Sequence, residues 1–534
     1  MSKILKGTLL LTAGTFLSKF LGMIYTVPFE NIVGSYGTDL FSKAYVPYSI
    51  LLSLSSMGVP VAVSKFVSKY NALEDYETGR KMLRAGMILL SLTGVLAFFI
   101  LYFSAGQVAA WTVGADSEQL GEVTMVIQMV SFALLVIPPM SITRGFFQGH
   151  ESMAPTAVSQ VVEQIVRIVF LLASVFIIVQ VMQGPIPRAI GYATFAAFVG
   201  GVASCLVLYI YWRRRKPYLD RQLANQEYTY GLSNQEMFKE LFTYAGPFIL
   251  VGIATPLYQL VDQFTLEKAI EAAGYGYNNE FSTINFLSHK LVMIPVTLGL
   301  GLSLALLPAI TQSYTKQNTN QLNRQINQAL QIVALLIIPA VVGLGAVAMD
   351  AYATFYGTED LDLRGSLLRW YAPVGLSLAL YTVTSSILQG INRQNFAVIS
   401  LGTGILLKIA FNWWFIQLFG AKGAIIATGL GVTAAVCLNF WRIFTAISFD
   451  YKPLFKRTLL ILILTTVMAV TVILVRFALL YIFDPGDKRL DSLFVLILSI
   501  GVGGIVYGWL AYQTTLLERV LGGRVRVLDK FLKR

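Results

Sequence analysis

The sequence contains few of the residues that build catalytic and metal sites. Among 534 residues there are two histidines and two cysteines, Cys205 and Cys437, and both cysteines lie in apolar segments. Cysteines in that setting give no disulfide framework, and without Cys/His spacing we expect neither a zinc nor a haem site. A Walker loop, a GxSxG motif and paired carboxylates are also missing. We therefore expect no enzymatic activity and no cofactor.

Charged residues are scarce as well. They make up 13% of the chain, against roughly 25% in soluble proteins, while 56% of the residues are hydrophobic. Apolar runs of about 20 residues recur from end to end, without the short alternating segments of barrel strands. This pattern predicts an all-α polytopic membrane protein. The net charge is +12. In a membrane protein the basic residues fix the orientation of the helices and lie beside anionic lipid, so we expect no nucleic-acid partner.

We predict fourteen transmembrane helices with both termini in the cytoplasm. Basic connections, such as the run Arg213-Arg214-Arg215-Lys216, alternate with acidic or uncharged ones, such as 114–122 and 357–365. By the positive-inside rule, the basic set is cytoplasmic. The predicted spans lie near 8–32, 39–65, 83–107, 121–147, 155–181, 187–212, 240–267, 283–312, 325–349, 365–389, 395–418, 421–441, 457–483 and 491–516.

The longest polar segment divides these spans into six and eight. It is predicted to be a cytoplasmic linker between two lobes, and the basic C-terminal tail is expected to lie on the inner membrane surface. The predicted domains are an N-lobe at 1–212, the linker at 213–239, a C-lobe at 240–441, spans thirteen and fourteen at 442–516, and the tail at 517–534.

Two parts of the chain resemble each other. The segment TRGFFQGHESMAPTAVSQVVEQIVRIVF (143–170) aligns with TSSILQGINRQNFAVISLGTGILLKIAF (384–411) through a shared Gln-Gly. Matched prolines in two halves indicate two related lobes with a substrate path between them. Two pairs of prolines show the same spacing, Pro47 with Pro60 and Pro295 with Pro308.

Ionisable residues inside predicted spans are the candidates for function. A charge at the centre of a membrane helix costs about 2.5–3.5 kcal/mol and usually faces a partner or a wet cavity. The candidates are Lys19, Lys43, Glu163, Arg167, Asp262, Lys290, Lys408 and Arg476.

Two pairs among them have a structural alternative. Glu163 and Arg167 are four residues apart on one helix, so they can neutralise each other, or Arg167 can bind substrate. Asp262 and Lys290 lie at similar depth on consecutive antiparallel spans. They can form an ion pair, or each can serve transport.

The remaining basic residues divide by depth. Lys43 and Arg476 are expected to snorkel to the interface. Lys19 and Lys408 lie near the middle of their spans, and we expect substrate roles for both. A membrane cavity with lysines favours an anion such as phosphate, whereas an exporter of cationic drugs would place carboxylates there.

Several segments resemble a known superfamily. RGFFQGHESMAPTAVSQVVEQIVRI (144–168) resembles the polysaccharide-exporter branch of the MOP exporter superfamily, which includes the stage V sporulation protein B and YtgP proteins. YQLVDQF (258–264) and HKLVMIPVTLG (289–299) are similar to spans seven and eight of the MurJ family of lipid II flippases. The resemblance covers essentially the whole chain. It implies two repeated six-helix lobes plus two C-terminal helices.

The resemblance also implies site residues. Lys19 stands where the family has a substrate-binding arginine, and Lys290 takes the place of a span-eight arginine. Asp262 takes the place of a span-seven acid that the family associates with ion coupling. The sequence departs from the family at Tyr25-Thr26, where an Arg-Asp pair is expected, and after Pro47, where a basic run is missing.

The implied function is a flippase for an undecaprenyl-diphosphate-linked cell-wall precursor, lipid II above all. Lys19 and Lys290 would hold the diphosphate, and spans thirteen and fourteen would guide the polyprenyl tail. We expect a monomer of the bacterial cytoplasmic membrane, coupled to a monovalent cation or the membrane potential and working beside the cell-wall synthesis machinery. The alternatives are a flippase for another lipid-linked oligosaccharide, a cation-coupled multidrug antiporter, and a non-transporting scaffold for wall synthesis.

Overall fold

A computed structural model describes residues 14–15, 17–56, 58–226, 236, 249, 252–482 and 489–521. Within these ranges every regular element is a helix. Helices satisfy their own backbone hydrogen bonds, as the hydrocarbon core requires. Most of the tail predicted at 517–534, and the second half of the linker predicted at 213–239, lie outside the described residues.

The chain divides into two compact units, Met1–Glu267 and Lys268–Arg534. Unit 1 contains α1 (17–24), α2 (Thr26–Ser56), α3 (Val59–Ala72), α4 (Tyr76–Val113), α5 (Leu120–Ser131), α6 (Ala133–Gly149), α7 (Ala154–Phe176), α8 (Ile186–Ala224) and most of α9 (Ala254–Ala272). A π-helical turn, Ile177–Val181, extends α7.

Unit 2 begins inside α9. A short turn, Glu280–Ser282, and a π-helical segment, Thr283–Ser288, lead directly into the next helix. The helices of unit 2 are α10 (His289–Thr315), α11 (Thr319–Ala346), α12 (Ala348–Tyr356), α13 (Leu361–Tyr371), α14 (Val374–Gly390), α15 (Gln394–Phe419), α16 (Ala421–Ile447), α17 (Lys452–Leu479), α18 (Arg489–Gln513) and α19 (Leu516–Leu521).

Ten helical stretches in the described residues are long and apolar enough to cross a membrane. They coincide with predicted spans three to six and nine to fourteen, so the chain is a multi-pass membrane protein. The other four predicted spans fall on helices that carry more polar residues or lie partly outside the described residues. Glu30, Asp39 and Lys43, for example, all belong to α2.

Some predicted boundaries differ from the observed helices for local reasons. Gly34 has φ 67°, a conformation that glycine adopts without strain, and it kinks α2 between the first two predicted spans. Gly58, with φ 83°, separates α2 from α3 inside the span predicted at 39–65. The sixth span was predicted to end at 212, but α8 continues through the basic run to Ala224. Arginine has good helix propensity, so the helix continues where the apolar residues end.

The internal repeat is visible in the helix boundaries. A shift of 241 positions carries Ala133–Gly149 onto Val374–Gly390. Before these helices, Asp75 and Asn318 cap the N-termini of α4 and α11 by accepting from the backbone N–H three residues later. A shift of 243 relates these two caps. The two segments therefore share local geometry as well as sequence.

Candidate functional site

The α1 helix places Lys19 beside α7. The Ser18 hydroxyl donates to the Gln160 carbonyl oxygen at 3.0 Å. One turn later, a Cβ on Gly22 would lie 3.1 Å from the Gln164 side-chain nitrogen, so the helices approach closely there. Lys19 lies between these two contacts and its side chain is exposed. Its ammonium group is therefore available to an anion at the α1–α7 contact.

Arg167 extends the same face of α7. It lies one turn beyond Gln164, and its guanidinium carbon is 5.8 Å from the centre of the Tyr45 ring. The Arg167 Nε atom is buried and has no hydrogen-bond partner among the described residues. A guanidinium that is positioned by an aromatic ring and retains a free Nε–H donor is suited to a phosphate or carboxylate.

Of the two alternatives for Glu163 and Arg167, the ion pair between them does not form among the described residues. Glu163 accepts instead from Arg144 of α6, at 2.7 Å. The same arginine donates to the hydroxyls of Ser159 and Ser204, at 2.9 and 2.7 Å. The arginine of a neighbouring helix reaches Glu163, whereas the i, i+4 partner on the same helix stacks on a tyrosine. Our sequence analysis did not single out Arg144, although it opens the quoted segment 144–168.

Unit 2 uses the corresponding positions for a polar contact without charge. Ser385 and Ser400 are the counterparts of Arg144 and Ser159, by the shift of 241 positions. Asn439 accepts from Ser400 at 2.6 Å and lies 3.4 Å from the Ser385 hydroxyl. Both units therefore join three successive helices through polar side chains at one level. We assign this contact to structure, since buried polar groups fix helix packing when they are satisfied.

Lys43 does not snorkel, contrary to prediction. It is buried, and its ammonium lies 2.8 Å from carboxylate oxygens of both Asp39 and Glu267. The Gln263 amide also donates to the Lys43 carbonyl oxygen at 2.8 Å. An i, i+4 carboxylate was visible in the sequence, but the second carboxylate arrives from α9. Asp262, predicted to couple transport to an ion, is buried on the same helix.

The predicted site residues of unit 2 are at two places. Lys290 follows the π-helical segment and lies 4.0 Å from the centre of the Phe286 ring, while its neighbour His289 is 2.9 Å from the Tyr371 hydroxyl. Segments of π-helix often occur at functional sites. Lys408 is completely buried and donates to Thr428 at 2.6 Å, between α15 and α16.

Arg476, also predicted to snorkel, forms an ion pair instead. Its Nε atom is 2.5 Å from a carboxylate oxygen of Asp350, a fully buried residue. This contact fastens α17 to α12. Groups of three or more His, Cys, Asp or Glu that could hold a metal do not occur among the described residues. Around Lys19 and Arg167 the structure offers cations, an aromatic ring and glutamine amides, which together suit an anionic ligand.

Comparison with known families identifies relatives of this chain. A family model described as "Polysaccharide biosynthesis protein" matches residues 4–314, and a model described as "MatE" matches residues 282–414. The chain is 46% identical over 531 residues to the lipid II flippase MurJ of Bacillus subtilis, covering 98% of each chain. It is 25% identical over 448 residues to stage V sporulation protein B of the same organism, covering 82% of each.

Solved structures show the same fold. A lipid II flippase MurJ in an inward closed conformation superposes with a TM-score of 0.67 at 16% identity, covering 96% of this chain and 99% of that one. Identity this low carries the fold alone, but the family model and the Bacillus relative establish membership. The chain belongs to the polysaccharide biosynthesis protein family of the MOP superfamily.

Proposed function

We propose that this protein is a flippase that moves lipid II from the inner to the outer leaflet of the cytoplasmic membrane. The observation that carries the proposal is 46% identity, over 98% of both chains, to a Bacillus subtilis lipid II flippase. Because the similarity extends over the full length, it includes both halves of the chain. The protein therefore acts as a transporter and not as an enzyme.

The cations supply the substrate chemistry. Lys19 and Arg167 in unit 1, and Lys290 in unit 2, are cations within predicted membrane spans. A diphosphate spreads its charge over several oxygens and accepts from both ammonium and guanidinium groups. We assign Lys19 and Lys290 to the diphosphate of the lipid carrier. Arg167 and Lys408 are secondary candidates, and Asp262 is the candidate for coupling to a monovalent cation.

The proposed architecture follows from the repeat and the charge pattern. Fourteen transmembrane helices would form two six-helix lobes plus a C-terminal pair, α17 and α18, beside which the polyprenyl tail would pass. Both termini would be cytoplasmic, and the lobes would rock to expose the head group on alternate sides. We propose a monomer that works beside the enzymes consuming its product.

Depletion and complementation test this proposal. A Gram-positive strain lacking its own lipid II flippases is made dependent on an inducible copy of this protein, and lipid II accessible on the outer leaflet is measured after shut-off. We expect outer-leaflet lipid II to fall while total lipid II rises. Unchanged outer-leaflet lipid II would reject the proposal. A defect confined to another lipid-linked oligosaccharide, or to resistance against cationic drugs, would support one of the alternative transport functions.

A further inference from the structure

A groove on the surface of unit 1 is lined by residues other than those assigned to transport. It has a volume of about 450 Å³ and is bounded by α4, α6 and α8. Ligand pockets typically have volumes of roughly 300–1,000 Å³. The walls are almost entirely apolar and include Leu83, Met87, Pro139, Leu208, Tyr209 and Trp212. An apolar concavity of this size accepts a hydrocarbon chain.

One end of the groove is basic. Arg84 follows the wall residue Leu83 in α4 and is exposed. On α8, Arg213 lies with its guanidinium carbon 5.9 Å from the centre of the Tyr209 ring, which forms the opposite wall. Trp212 ends the apolar lining there, as aromatic residues do at the level of lipid head groups.

These two arginines differ from their basic neighbours. Arg80 pairs with Asp220 at 2.6 Å and Lys81 pairs with Glu77 at 2.9 Å. No such ion pair involves Arg84 or Arg213 in the part of the chain that the structure describes. Arg84 also lines a second cavity, with Glu77 and Arg80, which adjoins the same end of α4. Since neither arginine is held in an ion pair among the described residues, both can meet an anion at the end of the groove.

The repeat provides an internal comparison. The groove residue Leu135 corresponds to Leu376 of unit 2, by the shift of 241 positions. Leu376 packs against a core to which α17 contributes Ile461 and Leu464. The shift of 243 that relates the caps of α4 and α11 carries Arg84 to Asn327. A shift of 235, which carries Ser204 of α8 to Asn439 of α16, carries Arg213 to Ser448. In unit 2 the helix α17 covers this face, whereas in unit 1 the helices that the structure describes leave the groove uncovered and carry two arginines.

The dimensions favour a lipid over a partner helix. A transmembrane helix of about 20 residues is roughly 30 Å long and 10–12 Å wide. That volume far exceeds the groove, whereas an acyl chain is narrow and flexible enough to enter. Basic pockets between membrane helices on the cytoplasmic side bind anionic lipid head groups.

We propose that this groove is a binding site for an anionic phospholipid of the cytoplasmic leaflet. An acyl chain occupies the apolar groove, and Arg84 and Arg213 hold the phosphate. The site is separate from the residues assigned to transport, so it offers the membrane a means of adjusting unit 1 through its lipid composition.

The two native cysteines make the site measurable in the full-length protein. Cys205 lines the groove, and Cys437 is exposed in unit 2. In detergent micelles titrated with phosphatidylglycerol or phosphatidylcholine, the rate of N-ethylmaleimide modification at each cysteine is followed by peptide mass spectrometry. We expect phosphatidylglycerol to slow modification of Cys205 relative to Cys437, and phosphatidylcholine to do so only at much higher mole fraction.

Charge variants assign the head group. In Arg84→Gln/Arg213→Gln, the phosphatidylglycerol fraction giving half protection should rise by about an order of magnitude, since each basic group near the surface contributes several-fold to lipid affinity. The matched control is Arg214→Gln/Arg221→Gln. It removes the same charge from the opposite face of α8 and should leave half protection unchanged.

Three results would overturn the proposal. Equal protection by the two lipids would show that head-group charge is irrelevant. An unchanged half-protection fraction in Arg84→Gln/Arg213→Gln would remove the arginines from the site. If neither lipid protects Cys205 in micelles but it is protected in native membranes, the groove binds another membrane protein. The Cys437 rate monitors folding of every variant.

Discussion

Lys43 of α2 and Glu267 of α9 form an ion pair, with the ammonium nitrogen 2.8 Å from the carboxylate oxygen. Asp39 contacts the same ammonium at the same distance. One buried cation thus joins two acids from helices that are far apart in sequence. Both α2 and α9 contain several polar residues. The ion pair between Lys43 and Glu267 fixes how these two helices pack against each other.

Removing Lys43 should destabilise the protein strongly. Lys43→Met leaves Asp39 and Glu267 without their shared cation in a poorly solvated place, and breaking such a contact costs about 3–5 kcal/mol. We expect a large fall in melting temperature in detergent and low expression. The triple variant Asp39→Asn/Lys43→Met/Glu267→Gln should regain most of the stability, because it removes the buried charges together. Equal instability of the single and triple variants would show that the contact's packing, not its charge, matters.

Variants of Arg144 should show whether the geometry or the charge of its guanidinium stabilises unit 1. Its guanidinium donates to Glu163, Ser159 and Ser204, on two other helices. Lysine keeps the charge but lacks the planar fork, so Arg144→Lys should lose stability by about 1–3 kcal/mol. Thermal unfolding of Arg144→Lys and of the uncharged Arg144→Gln measures this. Full stability of the lysine variant would mean that the serine contacts contribute nothing.

The all-helical fold and most of the membrane helices could be predicted from hydropathy, because apolar length is a local property. Partners of buried charges could not be predicted in the same way. Snorkelling was a sound expectation for Arg476, yet Asp350, more than a hundred residues away, reaches it. For Glu163 the sequence offered Arg167, on its own helix, as one possible partner, but Arg144 of a neighbouring helix pairs with it. A sequence shows only how far apart two charged residues are along the chain. Tertiary packing determines which of them form an ion pair.

The Arg476–Asp350 pair leads to a prediction for unit 2. Asp350 is fully buried, so Arg476→Ala leaves an unpaired carboxylate and should cost about 3–5 kcal/mol. The double variant Arg476→Ala/Asp350→Asn should recover much of that loss. Thermal unfolding of the two variants provides the comparison. Arg457 lies on the same helix as Arg476 and contacts the uncharged Gln331. Arg457→Ala leaves no buried charge unpaired, so it is the control.

His150 should make unit 1 sensitive to acid. It follows α6, outside the predicted spans. Burial lowers the pKa of His150 from the ordinary value of 6.5. The Phe146 carbonyl raises this pKa and the charges of Arg215 and Arg80 lower it, each by a smaller amount. The unfolded chain therefore binds the proton at a higher pH than the folded one. Stability is complete above about pH 6.5 and declines as the pH falls below it.

The measurement is the melting temperature at about pH 7.5 and about pH 5.5. We expect the wild type to lose more than His150→Asn between the two, since the variant retains every other titrating group, including His289. Identical losses in both proteins would remove His150 from the acid response.

Lys19 provides the sharpest test of the transport site. Its side chain is exposed beside α7, so Lys19→Ala should leave melting temperature and membrane insertion unchanged while abolishing complementation of a flippase-depleted strain. Lys19→Arg should retain part of the activity, because the charge persists and only its geometry changes. Lys290→Ala is expected to abolish transport as well, but here the sequence leaves the ion-pair alternative with Asp262. If Lys290 serves only to neutralise that acid, then Lys290→Ala/Asp262→Asn should transport normally. Restored transport in this double variant would remove Lys290 from the substrate and leave Lys19 as the diphosphate ligand.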